Sequence, residues 1–443
     1  MPHESPAAAV FSEAEVSSLF AAVGTDARGL ALAVSGGADS TALLLLFARY
    51  RGLNAAFAAA PCLVVTVDHG LRCASPREAE AVAARAAALG LEHVTLCWLG
   101  PKPAAGIAAA AREARYALIA DLMRTRGLGT LITAHTLEDQ AETLLMRLAR
   151  GSGVDGLSGM APVSTFGAPP LRLVRPLLGV SKARLTGFLA ACGETWSEDP
   201  TNADLAFERP RLRARAPALA EIGLTPAALA LAARRQARAR AALDAAAAAF
   251  LASPGARIDP LGFVVLDRDA FARLEEEIAL RVLRMAIVCA GGGAPVSLSR
   301  LEDLHARLAA GDGTRFTLGR ALVARDARGL VVSREPGRTP LSRLPLACGL
   351  DRLWDNRFRV RAGAVGDGLA LGPLGGAGLA EAGRAGLIRP RGAPAMALRT
   401  LPAVWRDGAL LAVPSLGFDP AQLQLAIQVE FKGLGGLRST FLG

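Results

Sequence analysis

Hydrophobic positions in the first 180 residues alternate between two patterns. Leu30–Val34, Cys62–Val67, His93–Leu99, Thr130–Ala134 and Leu171–Val174 are short apolar runs of strand length. Between them, apolar residues return at helical spacing over Thr41–Arg51, Arg77–Leu89, Gly106–Arg126 and Leu137–Arg150, with Gly52, Gly90 and Gly151 as stops. Residues 11–28 predict a short leading helix. Strands alternating with helices predict an α/β domain, a doubly wound parallel sheet covered on both faces. Ligands of such sheets sit beyond the carboxyl ends of the strands, where the strand order reverses. Three polar clusters fall at such ends: Ser35–Ser40, Asp68–Arg72 and His135–Asp139.

Beyond residue 150 the pattern changes. Arg150–Met160 is glycine-rich and is expected to be a mobile loop. Ser181–Cys192 predicts a helix, Trp196–Asn202 a turn, and Arg209-Pro-Arg-Leu-Arg-Ala-Arg215 a dense basic segment, most simply a solvated face. Helices are expected at 226–252, Glu275–Cys289 and Leu298–Leu308, a strand at Phe263–Leu266, and two hairpin-like strands at Thr314–Leu318 and Gly329–Ser333. Two short regions, near Arg320–Val332 and Trp405–Pro414, share an apolar strand after an Arg/Asp/Gly turn. Pro336–Pro340 has the composition of a linker, and the remainder is short strands and glycine turns with little helical periodicity. The expected domains are therefore 1–215, 216–335 (a helical middle domain) and 336–443 (small, mixed α/β).

Composition narrows the class. The net charge of +10 favours polyanions, and nucleic acid is the natural partner of an arginine surplus. The six cysteines are scattered without a Cys-x-x-Cys pair, against a zinc ribbon, an iron–sulfur site or a disulfide framework. No apolar run approaches the roughly 18 residues of a membrane span, and no secretory pattern opens the chain, so a cytoplasmic location is expected.

The chemistry concentrates in two motifs. In Ser35-Gly36-Gly37-Ala38-Asp39-Ser40-Thr41, a glycine pair between strand and helix can aim backbone N–H groups at an anion over the helix start. The hydroxyls add donors, and Asp39 adds a carboxylate able to hold Mg²⁺ against phosphate oxygens. A Walker loop is excluded because no lysine follows the glycines. The string resembles the pyrophosphate loop of enzymes that split ATP into AMP and pyrophosphate. In His135-Thr-Leu-Glu-Asp139-Gln-Ala-Glu142, Asp139 and Glu142 share a helix face with His135 at its mouth. Carboxylates there suit metal binding or proton removal, although Thr136-x-x-Asp139 also fits a capping box.

Taken in order, Ser-Gly-Gly-x-Asp-Ser, Asp68-His-Gly-Leu-Arg72, His-Thr-x-x-Asp-Gln-x-Glu-Thr, Arg150-Gly-x-Gly-x-x-Gly-Leu-x-Gly-Met160 and Arg175-Pro-Leu-Leu178 resemble the tRNA(Ile)-lysidine synthetases, which belong to the N-type ATP pyrophosphatases. The match is close over about residues 30–215 and similar only in layout to about 335. It implies a Rossmann-like fold of the adenine nucleotide α-hydrolase type. It also implies ATP and Mg²⁺ as cofactors, and L-lysine and a tRNA(Ile) with a CAU anticodon as substrates. In the implied reaction the C2 oxygen of the wobble cytidine attacks the α-phosphate of ATP, and lysine then displaces AMP. Asp39, His135, Asp139 and Arg209 become the catalytic candidates, with Asp39 and Asp139 as metal ligands. Ser35–Thr41, Asp68 and His69 would hold the nucleotide; Arg115, Glu142, Gly151, Gly153 and Asp199 would meet the other substrates. The family usually has Asp-Pro-Ser-Asn where this chain has Asp199-Pro-Thr-Asn202, and Arg-Asn-x-Ile-Arg where it has Arg209-Pro210-Arg211-Leu212-Arg213. Pro210 removes an amide side chain and a backbone donor. The rival readings are a tRNA thiolase, disfavoured by the cysteine spacing, and a catalytically silent RNA-binding protein. The oligomeric state is left open, with a homodimer as the candidate.

Overall fold

The computed structural model describes residues 10–24, 28–58, 60–71, 75–103, 105–167, 169–198, 204–326, 329–337, 341–423 and 425–433. The chain divides into two compact units between Arg240 and Ala241.

The first unit is built on a six-stranded sheet of β1 (Leu30–Ala33), β2 (Cys62–Asp68), β3 (Glu92–Cys97), β4 (Thr130–Ile132), β5 (Val163–Phe166) and β6 (Leu171–Val174) in the order β3-β2-β1-β4-β6-β5. Every pairing is parallel except that of β5 with β6. The short β5 run, flanked by Pro162 and Gly167, was not distinguishable from a turn in the sequence. Strand alternation divides the core in two. Leu30, Leu32, Val64, Ile132 and Val174 face α1 (Glu13–Phe20), α2 (Ala38–Leu53), α4 (Ser75–Ala88) and α8 (Lys182–Ala191). Ala31, Leu63, Val65, Leu131, Leu171 and Leu173 face α5 (Ile107–Thr125). The short α3 (Ala55–Ala58) follows α2, whose helix starts three residues before the apolar periodicity does and runs through Gly52. Polar residues in a first helical turn leave no hydrophobic signature. The order reverses between β1 and β4, so the carboxyl ends of these neighbouring strands form the switch point.

Helix α6 (Leu137–Leu148) follows β4, and its Ala141 and Leu144 pack on Leu229 and Ala233 of α10 (Pro226–Leu251). The loop over 150–160 is pinned, contrary to the mobility expected of its glycines. It contains α7 (Val154–Leu157), Arg147 donates to the carbonyls of Gly156 and Gly159 (both 2.9 Å), and the Gln140 amide exchanges two bonds with the backbone of Met160 (2.7 and 2.9 Å). Gly159, at φ +68°, is needed because a Cβ there would lie 2.7 Å from Gln140 Oε1. The basic segment is the first half of α9 (Glu208–Glu221).

In the second unit, β7 (Ala256–Asp259), β8 (Phe263–Asp267), β9 (Arg315–Leu318), β10 (Ala321–Asp326) and β11 (Gly329–Arg334) form an antiparallel sheet in the order β7-β8-β11-β10-β9. It is packed by α11 (Arg268–Ala272), α12 (Glu276–Gly291) and α13 (Leu298–Ala310). The region expected to be a helical middle domain is mainly helical and also carries this five-stranded sheet. The predicted hairpin strands β9 and β11 do not pair with each other, because β10 lies between them. Two smaller sheets follow, β12 (Leu344–Pro345), β15 (Ala370–Pro373), β16 (Pro402–Arg406) and β17 (Ala409–Ala412), and β13 (Asp351–Trp354), β14 (Phe358–Ala362) and β18 (Ile427–Phe431). Residues of positive φ at Gly319-Arg320 and Asp407-Gly408 close two two-residue hairpins, the turns that suit the twist of paired strands, and Asp355-Asn356, also at positive φ, open the three-residue loop between β13 and β14. Helix α14 (Gly375–Arg384) was hidden by its glycines, and α15 (Ala395–Arg399) is too short to show a helical period. In α14, packing outweighs propensity: a Cβ on Gly378 would lie 2.8 Å from Trp405, so the glycine lets the helix settle on that ring. At the centre of this unit Asp355 accepts from Arg334 (both bonds 3.0 Å) and Arg357 (2.7 Å). Arg357, fully buried, also donates to the Thr400 carbonyl (2.9 Å), and burial pulls its guanidinium down to about 10.

Candidate active site

Three strand ends bring the predicted clusters to one rim. After β1, Gly36 at φ +86° turns the chain and Gly37 caps α2 without a side chain. Hydroxyls hold the turn from inside: Ser40 donates to the Gly37 carbonyl (3.0 Å), Thr41 to that of Gly36 (3.3 Å), and the Ser35 N–H donates to Ser40 Oγ (3.1 Å). The N–H groups of Ala38, Asp39 and Ser40 have no acceptor among the described residues. They form an open helix N-terminus ready for an anion.

After β4 the arrangement is closed. Thr136 and Asp139 form the capping box: Asp139 Oδ2 accepts from the Thr136 N–H (2.9 Å) and hydroxyl (3.0 Å). Oδ1 of the same carboxylate accepts from Arg209 (3.1 Å). Asp139 is therefore both a cap and a member of a charged network. Burial pushes its carboxyl up, but Lys182, the Thr136 N–H, Arg209 and His135 together hold it below the ordinary value.

Arg209 also reaches Glu142 (3.3 Å), and Arg213, one helical turn on, grips Glu142 through two bonds (2.6 and 3.2 Å). The basic segment is thus not a uniformly solvated face. Arg209 and Arg213 turn inward, whereas Arg211 and Arg215 are exposed. Pro210 is buried at the third residue of α9, and the first backbone bond of the helix, Arg211 N–H to the Phe207 carbonyl (3.3 Å), forms only after it. The donor that proline lacks has no helical acceptor at that position.

The sequence reading missed Lys182. Its Nζ donates to Asp39 Oδ2 (2.7 Å) and lies 3.9 Å from Asp139 Oδ1, so one ammonium bridges the pyrophosphate loop to the closed helix. The available signal was rarity: the chain has three lysines against 47 arginines, and lysine differs from arginine as a compact point charge. Arg213 could have been found from its four-residue spacing to Arg209 on a helix.

His135 Nδ1 pairs with Thr133 Oγ1 (2.9 Å); burial, then the charge of Arg175, pushes its ring down to about 4, so it is neutral at pH 7. At the end of β2, Asp68 accepts from the Gly70 N–H (2.8 Å) and His69 Nε2 pairs with Arg115 (3.2 Å). Burial and Arg115 push His69 down to about 4 as well. Gly151 (φ +68°) and Gly153, the cap of α7, shape the pinned loop. Asp199 and Arg72 lie outside the described residues.

An open anion cradle at the reversal of a parallel sheet, with carboxylates at the next strand end, defines a nucleotide-binding domain of the PP-loop class. The family model described as "PP-loop domain" matches residues 9–218. The chain is 51% identical over 322 residues to the tRNA(Ile)-lysidine synthase of Methylobacterium nodulans, covering 70% of this chain and 92% of the relative. It is 48% identical over 323 residues to that of a Methylobacterium species (71% and 91% covered) and 36% identical over 434 residues to that of Rhizobium meliloti (94% and 88% covered). The chain belongs to the tRNA(Ile)-lysidine synthase family.

Proposed function

We propose that this chain is an ATP-dependent ligase that attaches L-lysine to C2 of the wobble cytidine of a tRNA(Ile) with a CAU anticodon. The observation that carries the reading is the single charged network, Asp39–Lys182–Asp139–Arg209–Glu142, that joins an open anion cradle to a buried acidic pocket. In the first step the cytidine C2 oxygen attacks the α-phosphorus of ATP and the bond to pyrophosphate breaks. The N–H groups at the start of α2 and the Lys182 ammonium stabilise the departing anion. In the second step the lysine amine attacks C2, its proton passes to a base, and the C2–O bond breaks to release AMP. In this reading neutral His135 or the Asp139 carboxylate takes that proton. Glu142, held by two arginines, offers the acidic contact for the incoming ammonium, which must compete with Arg213.

Magnesium fits Asp39 better than Asp139. No trio of metal-ligating side chains gathers among the described residues, and both oxygens of Asp139 are engaged. Asp39 Oδ2 pairs with Lys182 while Oδ1 has no hydrogen-bond partner among the described residues, which suits an ion that takes most of its ligands from water and phosphate. Bound with the triphosphate, the ion would neutralise charge developing on pyrophosphate.

The proposed division of labour places adenylation in 1–215 and tRNA contacts in 216–335 and 336–443. A groove lined by Arg300, Arg307 and Arg315, with Arg307 4.7 Å from the Phe316 ring centroid, supports an RNA-facing surface there. Among the described residues no single helix is long and apolar enough to cross a membrane, in keeping with the proposed cytoplasmic location. The test is incubation of the protein with ATP, labelled lysine and unmodified tRNA. Label in RNA with AMP formed in equal amount is the expected result; tight tRNA binding without label favours a silent binder.

A further inference from the structure

Two arginines, Arg175 and Arg112, lie on the α5 side of the sheet. Arg175 follows β6, two residues beyond Leu173, and so projects to the face that Leu171 and Leu173 share with α5. It is 8% exposed; Nη1 donates to the Ala161 carbonyl (2.7 Å) and Ser164 Oγ (2.9 Å), while Nε has no partner among the described residues. Arg112, on α5 itself, is exposed and lies over Tyr116, 5.1 Å from the ring centroid. No carboxylate pairs with it among the described residues. Tyr116 is braced by Phe166 (5.4 Å) and acts electrostatically on Arg175. One phenol thus lies beside two guanidinium groups, and no carboxylate pairs with either of them among the described residues. Both act on His135: after burial, Arg175 is the largest influence lowering its ring, with Arg112 adding to it.

A buried guanidinium with an unmet donor and no counter-charge is costly unless a ligand anion completes it. An arginine laid on an aromatic face is already oriented for a planar grip on phosphate. The open N-terminus of α2 serves the other face of the sheet, where the core residues of α2 lie. Pyrophosphate and this second anion would thus approach His135 from opposite sides.

We propose that Arg112, backed by Tyr116 and Arg175, seats a backbone phosphate of the RNA beside the nucleotide whose base is presented to His135. The inference rests on the reading of tRNA as the second substrate. Arg112 is exposed, so Arg112→Gln and Arg112→Lys should fold as the parent does. Binding of unmodified tRNA to the full chain is measured across a salt series, and ATP affinity without RNA in parallel. Arg112→Gln should weaken tRNA binding about tenfold and reduce the slope of log K against log salt by about 1, the mark of one lost phosphate contact. Arg112→Lys should keep the slope, and ATP affinity should be unchanged in both. Unaltered tRNA affinity and slope would overturn the proposal. So would weakened ATP binding without RNA, which would give the site to the nucleotide's own phosphates. A parent protein that neither binds tRNA nor incorporates lysine sinks the functional reading itself, an outcome distinct from either.

Discussion

Helices α2 and α6 begin at neighbouring strand ends and are finished in opposite ways. The start of α2 is left bare: a glycine cap, no side-chain acceptor, three N–H groups facing outward. The start of α6 is sealed by Thr136 and Asp139. A bare N-terminus is unfavourable for an isolated helix, and a sealed one contributes on the order of 1 kcal/mol. The difference marks which helix dipole is reserved for a ligand and which is used to keep a carboxylate ionised beside it. Lys182 joins the two.

The sharpest way to break this contrast is to fill the open end. Gly36→Val should abolish ATP binding, since a branched side chain at φ +86° is strained and would occupy the path of the phosphates. Unchanged ATP affinity by calorimetry would mean that the loop is no phosphate cradle. Next in size is the sealed end. Asp139→Asn keeps an oxygen for the Thr136 N–H but loses the charge, so pyrophosphate release should fall about 100-fold and Tm should fall as the contacts to Lys182 and Arg209 weaken. Asp139→Ala should lose the cap too, at a further ~1 kcal/mol. If Asp139 is only a cap, the asparagine variant will release pyrophosphate at the parent rate, with or without lysine. Because its folded carboxyl lies below the ordinary value of 3.8, the stability it lends is complete above that pH and is lost as pH falls through the lower folded value.

The bridge comes third. Lys182→Met should slow pyrophosphate release about tenfold, the scale of one charge-assisted bond, and double substitution with Asp39→Asn should cost less than the sum. Strict additivity would place Lys182 outside the network. The titration of His135 gives a smaller effect. Its ring drops from 6.5 to about 4 on folding, so the unfolded chain binds more protons in that window and stability declines as pH falls across it. His135→Gln should flatten that slope in pH-dependent melts; an unchanged slope would contradict a neutral His135. The smallest effect concerns a third helix start. Pro210→Asn in α9 should change lysine incorporation less than about twofold and stability within ~0.5 kcal/mol, because no backbone bond is missing there.

Much of this was legible in the sequence because it depends on local periodicity. The parallel sheet, its switch point and the three polar strand ends follow from apolar runs and the residues that interrupt them. What escaped depends on contacts between distant segments. The pinning of the 150–160 loop comes from Gln140 and Arg147, and glycine content alone pointed to the opposite. The inward turn of Arg209 and Arg213 depends on the acids of α6, some 70 positions earlier in the chain. Lys182 carried no motif. In the second unit β10 was missed between two predicted strands, and α14 exists because Trp405 accepts its glycine face.

The Asp355 cluster bears on how the second unit comes apart. One carboxylate on a hairpin turn holds Arg334 from the five-stranded sheet and Arg357, which in turn reaches Thr400 beyond α15. Melting any one of these segments alone would strand the remaining charges in an apolar interior. Partly unfolded forms are thereby made scarce, and three small sheets that would each be marginal alone share one cooperative transition. Hydrogen exchange should report a common opening rate for β11, β14 and α15, with no sub-unit released ahead of the others.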